Sequence, residues 1–484
     1  MPELFDKRDI ARIEERGLTP ESVNAQLERM RAGFPYLPIV RPASVGDGIT
    51  TLSDDEAETY EALYVARARR LHAEKFVPAS GAATRMFKEL FEYEESGVAT
   101  PGVRRIVENL ENFAFSDRLR LGDSASGGEV VRAMLDYGAG LPKALIPFHI
   151  YPDGSRTAME EHLVEGALYA GESGRVHIHF TVSPEHEQDF RELVARVGHR
   201  YEKAHDVKYA IVFSQQKSST DTVAATPEGE PFRDGEGNLV FRPAGHGALI
   251  GNLNDTDADI IFVKNIDNVT PDHLKADTVL YKKALAGLML SLQERVFDYV
   301  RMLEDKGAGT PLEEIAGFVG RELSCRLPDS FAGMDGAAKA GLLKGLLDRP
   351  LRVCAMVRNE GEPGGGPFWV ANADGTQSLQ IAEPPQIAPE QKHLLAEGTH
   401  FNPVDLVCGI RDHRGRRYDL SRYTDPETGL VSTKTMNGKP LVALELPGLW
   451  NGAMARWNTV FVEAPVSTFT PVKEVADLLR PEHR

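Results

Sequence analysis

Val77-Pro78-Ala79-Ser80-Gly81-Ala82-Ala83-Thr84-Arg85-Met86-Phe87-Lys88 is the stretch on which the fold reading turns. A short apolar run, Lys75-Phe76-Val77, leads into it and Pro78 breaks it; a loop of small residues follows, and Phe87–Glu95 reads as a helix. A strand, a small-residue loop and a helix in that order open an α/β unit. Small residues let backbone N–H groups close around an anion, and a helix start adds partial positive charge. Arg85 could grip phosphate through bidentate hydrogen bonds, each worth roughly 1.5–3 kcal/mol. A tight strand–helix turn with solvated basic residues explains the same letters equally well. The spacing is neither that of a P-loop nor that of a dinucleotide-binding fingerprint.

Upstream of this stretch, residues 1–73 read as helical. Thr19-Pro20 is a helix start, and Ser53-x-x-Glu56 is a capping box before Ala57–His72. Downstream, residues 96–140 look like a helical insertion with Gly-rich breaks. From 143 the pattern alternates: strands at Ala144–Ile150, Arg175–Val182, Lys208–Ser214 and Ile260–Val263, with helices at Thr157–Ala170 and Ser183–Val197. Lys208–Ser214 and Ile260–Val263 are near-continuous β-branched runs, the signature of strands buried on both faces. Thr270-Pro271 opens a further helix, Tyr281–Asp305 is long and amphipathic, and Thr310-x-x-Glu313 caps the next. After about 350 come short β-like runs (Leu351–Val357, Leu441–Leu446, Asn458–Val462) between Gly/Pro-rich loops. The expected architecture is a three-layer α/β fold with a mostly parallel sheet. It divides into a helical N-terminal extension (1–73), a central domain (74–350, with an insertion at about 89–140) and a β-rich C-terminal region (351–484).

The chain has 484 residues and a formal charge of −17, so it can bury a large core, and its acidity argues against binding nucleic acid or an anionic membrane. No apolar stretch is long enough to span a bilayer, and Met1–Arg12 lacks a signal-peptide core. The three cysteines, Cys325, Cys354 and Cys408, are scattered, which fits a reduced cytoplasm and gives no zinc pattern.

Several other segments could carry chemistry. Pro142-Lys143 sets a lysine just before a buried strand; alone, it reads as an exposed edge residue. Gly245-His246-Gly247 permits close backbone approach to a ring or base, or is a loop with a solvated histidine. In Ile266-Asp267-Asn268, Asp267 follows a buried strand, where α/β folds place ligand-facing groups; one carboxylate there suits Mg²⁺, and the alternative is a helix cap. His400, Asn402 and Asp405 sit together in Thr399-His400-Phe401-Asn402-Pro403-Val404-Asp405, a sugar or metal contact or else a turn held by Asn and Asp. Lys473, in Phe469-Thr470-Pro471-Val472-Lys473, is ambiguous between a site residue and a solvated residue near a docking helix. His177 and His179 share a strand face but have no third ligand nearby in sequence. Gly361–Pro367 is too Pro-rich to open a dinucleotide-binding helix; it is a loop over a small ligand or a flexible turn.

In order, these motifs resemble the UDP-sugar pyrophosphorylases. The resemblance rests on Ser80–Arg85, Pro142-Lys143, Gly245-His246-Gly247, Asp267-Asn268, and Phe469-x-Pro471-Val472-Lys473 before Asp477-Leu478-Leu479, with Leu444-Glu445 resembling the family's Leu-Glu step. More closely, the whole chain resembles a bacterial domain-of-unknown-function family, number 4301, through Phe76–Met86 and Thr399–Asp405. Two features depart from the pyrophosphorylase pattern: Ala83 stands where that family has Gly, and Lys143 lies far beyond its short spacing from Arg85.

The resemblance implies a nucleotide-diphospho-sugar transferase fold of the glycosyltransferase-A type. It also implies a Mg²⁺-dependent enzyme joining a sugar 1-phosphate to a nucleoside triphosphate, UTP favoured, with release of pyrophosphate. Ser80, Gly81, Thr84 and Arg85 would hold the triphosphate and Lys143 would neutralise charge at the reacting phosphate. Gly245, His246 and Gly247 would lie against the base, Asp267 would hold Mg²⁺, and Lys473 would contact phosphate from the C-terminal side. A glycosyltransferase on the same fold, or a non-catalytic nucleotide-sugar binder, are the alternatives.

Overall fold

The computed structural model describes residues 4–122, 124–361 and 364–484; Met1–Glu3 and, in the Gly361–Pro367 loop, Glu362 and Pro363 lie outside the described residues. Its centre is a mixed sheet of eleven strands. In spatial order the long ones are Asn458–Glu463, Leu351–Arg358, Asp405–Gly409, Ile260–Lys264, Ala73–Pro78, Arg175–Thr181 and Lys208–Ser214. They run parallel except Asp405–Gly409, which is antiparallel to both neighbours. The parallel strands therefore end on one edge, and the loops that leave them gather there.

Alternation along the strands sorts their side chains between two cores. Ile260 and Phe262 face a helical layer built on Ala276–Lys306 and Asp54–Ala68. Ile261 and Val263 face the other way, onto Leu249, Leu253 and, further along the sheet, Trp369, Leu379 and Ile381. Both faces of this strand are covered, which is why its sequence is apolar throughout. Burying a side chain such as Phe262 stabilises by about 1.5–3 kcal/mol. The second cover is not a layer of long helices. It consists of the short helix Ile250–Asn254 and a three-stranded antiparallel sheet, Ile39–Pro42, Gly366–Ala371 and Gln377–Ala382.

Several sequence expectations need correction. Residues 1–73 are not wholly helical: Ile39–Pro42, Ser44–Val45 and Gly48–Thr50 are strands, because Pro35, Pro38, Pro42, Gly46 and Gly48 interrupt any helix there. The sheet takes strands from 44–50 and from 351–463 as well as from the segments between them. Lys208–Ser214 is an edge strand with its residues half-buried or exposed, not one buried on both faces. Ala144–Ile150 is a short 3-10 turn followed by Pro147–Tyr151, which makes a separate hairpin with Gly154–Thr157. Thr310 does not cap the next helix; its hydroxyl donates to the Gly307 carbonyl instead. The capping boxes at Ser53 and Thr157 and the N-cap at Thr19 are present. Among the described residues no helix is long and apolar enough to cross a membrane.

Candidate functional site

Ala73–Pro78 and Ile260–Lys264 are neighbours, so the loops leaving them share one rim of a cleft of about 640 Å³. Ser80, Gly81, Thr84, Arg85, Lys143, Gly245, His246 and Asp267 all line it.

The first loop is held by a strand-like partner. Ala83 N–H donates to the Leu141 carbonyl and Lys143 N–H to the Gly81 carbonyl. These bonds join Pro142-Lys143 to the loop even though three helices, Lys88–Ser96, Pro101–Glu108 and Gly127–Gly138, intervene in the chain. The long spacing from Arg85 is thereby closed in space. Ala83 is fully buried in the core, so its methyl does not face the cleft. The N–H groups of Ser80, Gly81 and Ala82 have no acceptor among the described residues, and Arg85 is exposed and makes no ion pair among them. Loose amides beside a free guanidinium form a cradle for an anion.

Asp267 is the centre of charge. Lys143 Nζ donates to its Oδ2 at 3.0 Å and Lys473 Nζ at 3.3 Å; Lys143 Nζ also donates to the Val472 carbonyl at 2.8 Å. Burial raises the Asp267 pKa, but Lys473 and Lys143 outweigh it and hold the carboxyl below its ordinary value. Its other oxygen, Oδ1, is buried with no hydrogen-bond partner among the described residues. Asn268 explains why Lys473 arrives here: its Oδ1 accepts from Thr470 N–H at 3.0 Å, and its Nδ2 donates to the Thr468 carbonyl. Val472 N–H adds a bond to the Asp267 carbonyl, so the C-terminal strap is laced to the loop. Asp477 then fixes the turn by accepting from the N–H groups of Lys473 and Glu474.

A divalent cation fits this arrangement. Mg²⁺ commonly takes one or two carboxylates and completes its shell with water and phosphate oxygens. Asp267 Oδ1 is a buried oxygen with no hydrogen-bond partner among the described residues, while the lysines occupy Oδ2.

The opposite wall comes from Gly245-His246-Gly247. Gly245 has φ +79°, which a side chain rarely tolerates. A Cβ on Gly247 would meet the Pro447 carbonyl, so that glycine serves close packing of two loops. The His246 ring stacks on Trp450 with centroids 4.2 Å apart, and its Nδ1 accepts from Leu449 N–H at 3.0 Å. Burial pushes His246 below its usual pKa, leaving a neutral ring with the proton on Nε2. The wall is thus flat and aromatic, with Glu383 Oε1 4.0 Å from His246 Nε2.

His400, Asn402 and Asp405 do not line this cleft. His400 is buried, bonded to Thr399 and to Glu463. Asn402 Oδ1 accepts from Val404 N–H, and Asp405 pairs with buried Lys282. Of the polar and aromatic residues lining the cleft, Gln216, Asn265 and Trp450 have no role in the sequence reading. Asn265 lies two positions before Asp267 and could have been noticed; nothing local marks Trp450 or Gln216.

Directly behind the cleft lies a second, closed cluster of charge. Glu165 takes Lys75 Nζ on Oε2 and Lys264 Nζ on Oε1, both at 2.9 Å, and Tyr169 OH at 3.0 Å. Burial pushes Lys75 down to about 7 against the pull of Glu165. Burial alone would raise Glu165, but Lys264 and Lys75 hold it far below its ordinary range. His162 Nε2 lies 3.2 Å from the Ile266 carbonyl, which ties this cluster to the Asp267 loop. None of these residues was singled out from the sequence.

The family model "Domain of unknown function (DUF4301)" matches residues 6–484. The chain belongs to this family. No curated protein matches the DUF4301 chain significantly in sequence. Its structure is similar to several solved ones at low identity. A single-residue variant of UDP-glucose pyrophosphorylase from Leishmania major, in complex with UDP-glucose, is 14% identical over 99% of this chain and 78% of its own, with a TM-score of 0.47. The uridine diphosphate N-acetylglucosamine pyrophosphorylase from Trypanosoma brucei, in complex with an inhibitor, is 11% identical over 95% of this chain and 74% of its own, at 0.49. A UDP-glucose phosphorylase from Trypanosoma brucei is 12% identical over 99% and 80%, at 0.47.

Proposed function

We propose that this DUF4301 protein is a sugar-1-phosphate nucleotidyltransferase of the glycosyltransferase-A type, taking a nucleoside triphosphate, UTP favoured. The observation that carries the reading is the meeting of the Ser80–Arg85 loop, Lys143 and Asp267 in one cleft, with Lys473 reaching the Asp267 carboxylate, from segments spread along the chain. Two lysines on one carboxylate, with Arg85 on the same cleft, make a local basic site on a chain of charge −17. That is what two anionic reactants need in order to approach each other.

In this reading the free N–H groups of Ser80–Ala82, the Thr84 hydroxyl and Arg85 hold the β- and γ-phosphates. Lys143 and Lys473, which meet at Asp267 Oδ2 from distant parts of the chain, contact the α-phosphate. The base lies between the Gly245-His246 wall and the first loop, with Trp450 fixing the His246 ring. An oxygen of the sugar 1-phosphate forms a bond to the α-phosphorus. The bond from that phosphorus to the bridging oxygen breaks, and pyrophosphate leaves with the electron pair. Positioning and charge stabilisation do most of the work, with no covalent nucleophile. A Mg²⁺ ion held at Asp267 Oδ1 would supply further charge neutralisation to the phosphates.

The test is pyrophosphate release across a panel of nucleoside triphosphates and sugar 1-phosphates with Mg²⁺. Release with at least one pair, abolished in Asp267→Ala, is expected. No release with any pair, while nucleotide-sugar still binds in EDTA, would make the protein a binder. Transfer of sugar from a nucleotide-sugar, with no pyrophosphate formed, would make it a glycosyltransferase.

A further inference from the structure

We propose that His72, Glu172 and His177 form a site for a divalent transition-metal ion of the zinc type, at the opposite edge of the sheet from the cleft. It does not depend on the function proposed above. His72 immediately precedes the Ala73–Pro78 strand, His177 lies near the start of Arg175–Thr181, and Glu172 sits in the two-residue strand that turns back onto Arg175. The sequence pairs His177 with His179 and offers no third ligand. The fold removes His179, whose ring nitrogens engage Glu74 and Ser214, and brings in His72 and Glu172 instead.

The three side chains are prepared as ligands. One candidate ligand atom from each lies within 4.8 Å of the other two. His177 Nε2 and Glu172 Oε1 are 3.5 Å apart, close to the roughly 3.3 Å edge of a tetrahedron with bonds of about 2.0–2.1 Å. Glu172 Oε2 accepts from Ala73 N–H, which orients the carboxylate and leaves Oε1 available. His72 Nδ1 is 3.0 Å from the Asp257 carbonyl, which can only accept, so Nδ1 carries the proton. Its Nε2 is then a bare lone pair, and it is buried without a partner among the described residues. A histidine held through one nitrogen by a carbonyl, with the other unpaired, is how proteins orient a metal ligand. Two imidazoles and one carboxylate suit zinc, whereas calcium and magnesium prefer all-oxygen shells. His177 and Glu172 are 23% and 19% exposed, enough for water to complete a fourth position. Bound metal would staple the Gly171–Arg175 hairpin to the start of the neighbouring strand and, through Asp257, to the loop before Ile260.

The test uses the full-length protein, stripped with chelator and titrated with Co²⁺ by visible absorption and with Zn²⁺ by calorimetry. One ion per chain with the intense bands of tetrahedral cobalt, displaced by Zn²⁺, is expected. His72→Gln and His177→Gln should each weaken binding more than ~100-fold, beyond the range of outer-shell changes. Glu172→Gln, which keeps the side chain's shape, should weaken it at least ~10-fold and guards against a variant that misfolds. His149→Gln, in a different buried histidine pair, should leave binding unchanged. Absence of the cobalt bands in the wild-type protein, or binding that follows His149 rather than this trio, would overturn the proposal.

Discussion

Two clusters of lysine and carboxylate lie back to back in this molecule, joined by the short stretch from Lys264 to Asp267. In the inner one every oxygen of Glu165 is engaged, by Lys75, Lys264 and Tyr169, away from water. In the outer one Asp267 shares a single oxygen between Lys143 and Lys473 and leaves the other with no partner among the described residues, at the wall of a cleft. The residue types are the same. What separates them is completeness: a saturated cluster holds the fold, and an unsaturated one is arranged for something that arrives.

Removing the centre of each cluster breaks this comparison most severely. Asp267→Ala should lower pyrophosphate release at least ~10³-fold; Lys473 is 49% exposed and Lys143 keeps its bond to the Val472 carbonyl, so thermal unfolding should change less than in Glu165→Ala. Glu165→Ala should do the reverse. It strands Lys75 and Lys264 in the interior and should cost about 3–5 kcal/mol in urea unfolding, with activity per folded molecule largely kept at low temperature.

Lys473→Ala should reduce turnover ~10²-fold; its side chain is 49% exposed, so stability should scarcely change. Near wild-type turnover would mean that the strap is only structural. The smallest effect concerns acid. The Asp267 pKa is lowered in the fold, so its ion pairs stabilise fully above about pH 4. That contribution fades as pH falls through the lowered value. Lys143→Ala should make the acid unfolding transition shallower in this range, seen by circular dichroism against pH.

How much was legible beforehand follows the same division. The Ser80–Arg85 loop, Asp267 and the strands on either side could be read because local spacing and apolar runs mark them. Pro142-Lys143 and Lys473 carry no such local mark; the family resemblance alone points to them, and backbone pairing across the insertion and the lacing by Asn268 hold them in place. Lys75, Glu165 and Lys264 look like ordinary charges in sequence, since nothing local reveals that they are buried together. Trp450 sits in a loop without pattern. His400, Asn402 and Asp405 illustrate the converse: three polar residues close in sequence point to three separate structural partners. The strands within 39–50 were missed because pieces so short show no period, and Lys208–Ser214 misled because an edge strand can be as β-branched as a central one.

The most direct measurement is a crystal structure of the protein grown with UTP and Mg²⁺. The account predicts phosphates against the Ser80–Ala82 amides and Arg85, the α-phosphate between Lys143 and Lys473, and the base on the His246 wall. A triphosphate bound elsewhere, or a cleft that stays free of nucleotide at saturating concentration, would contradict it.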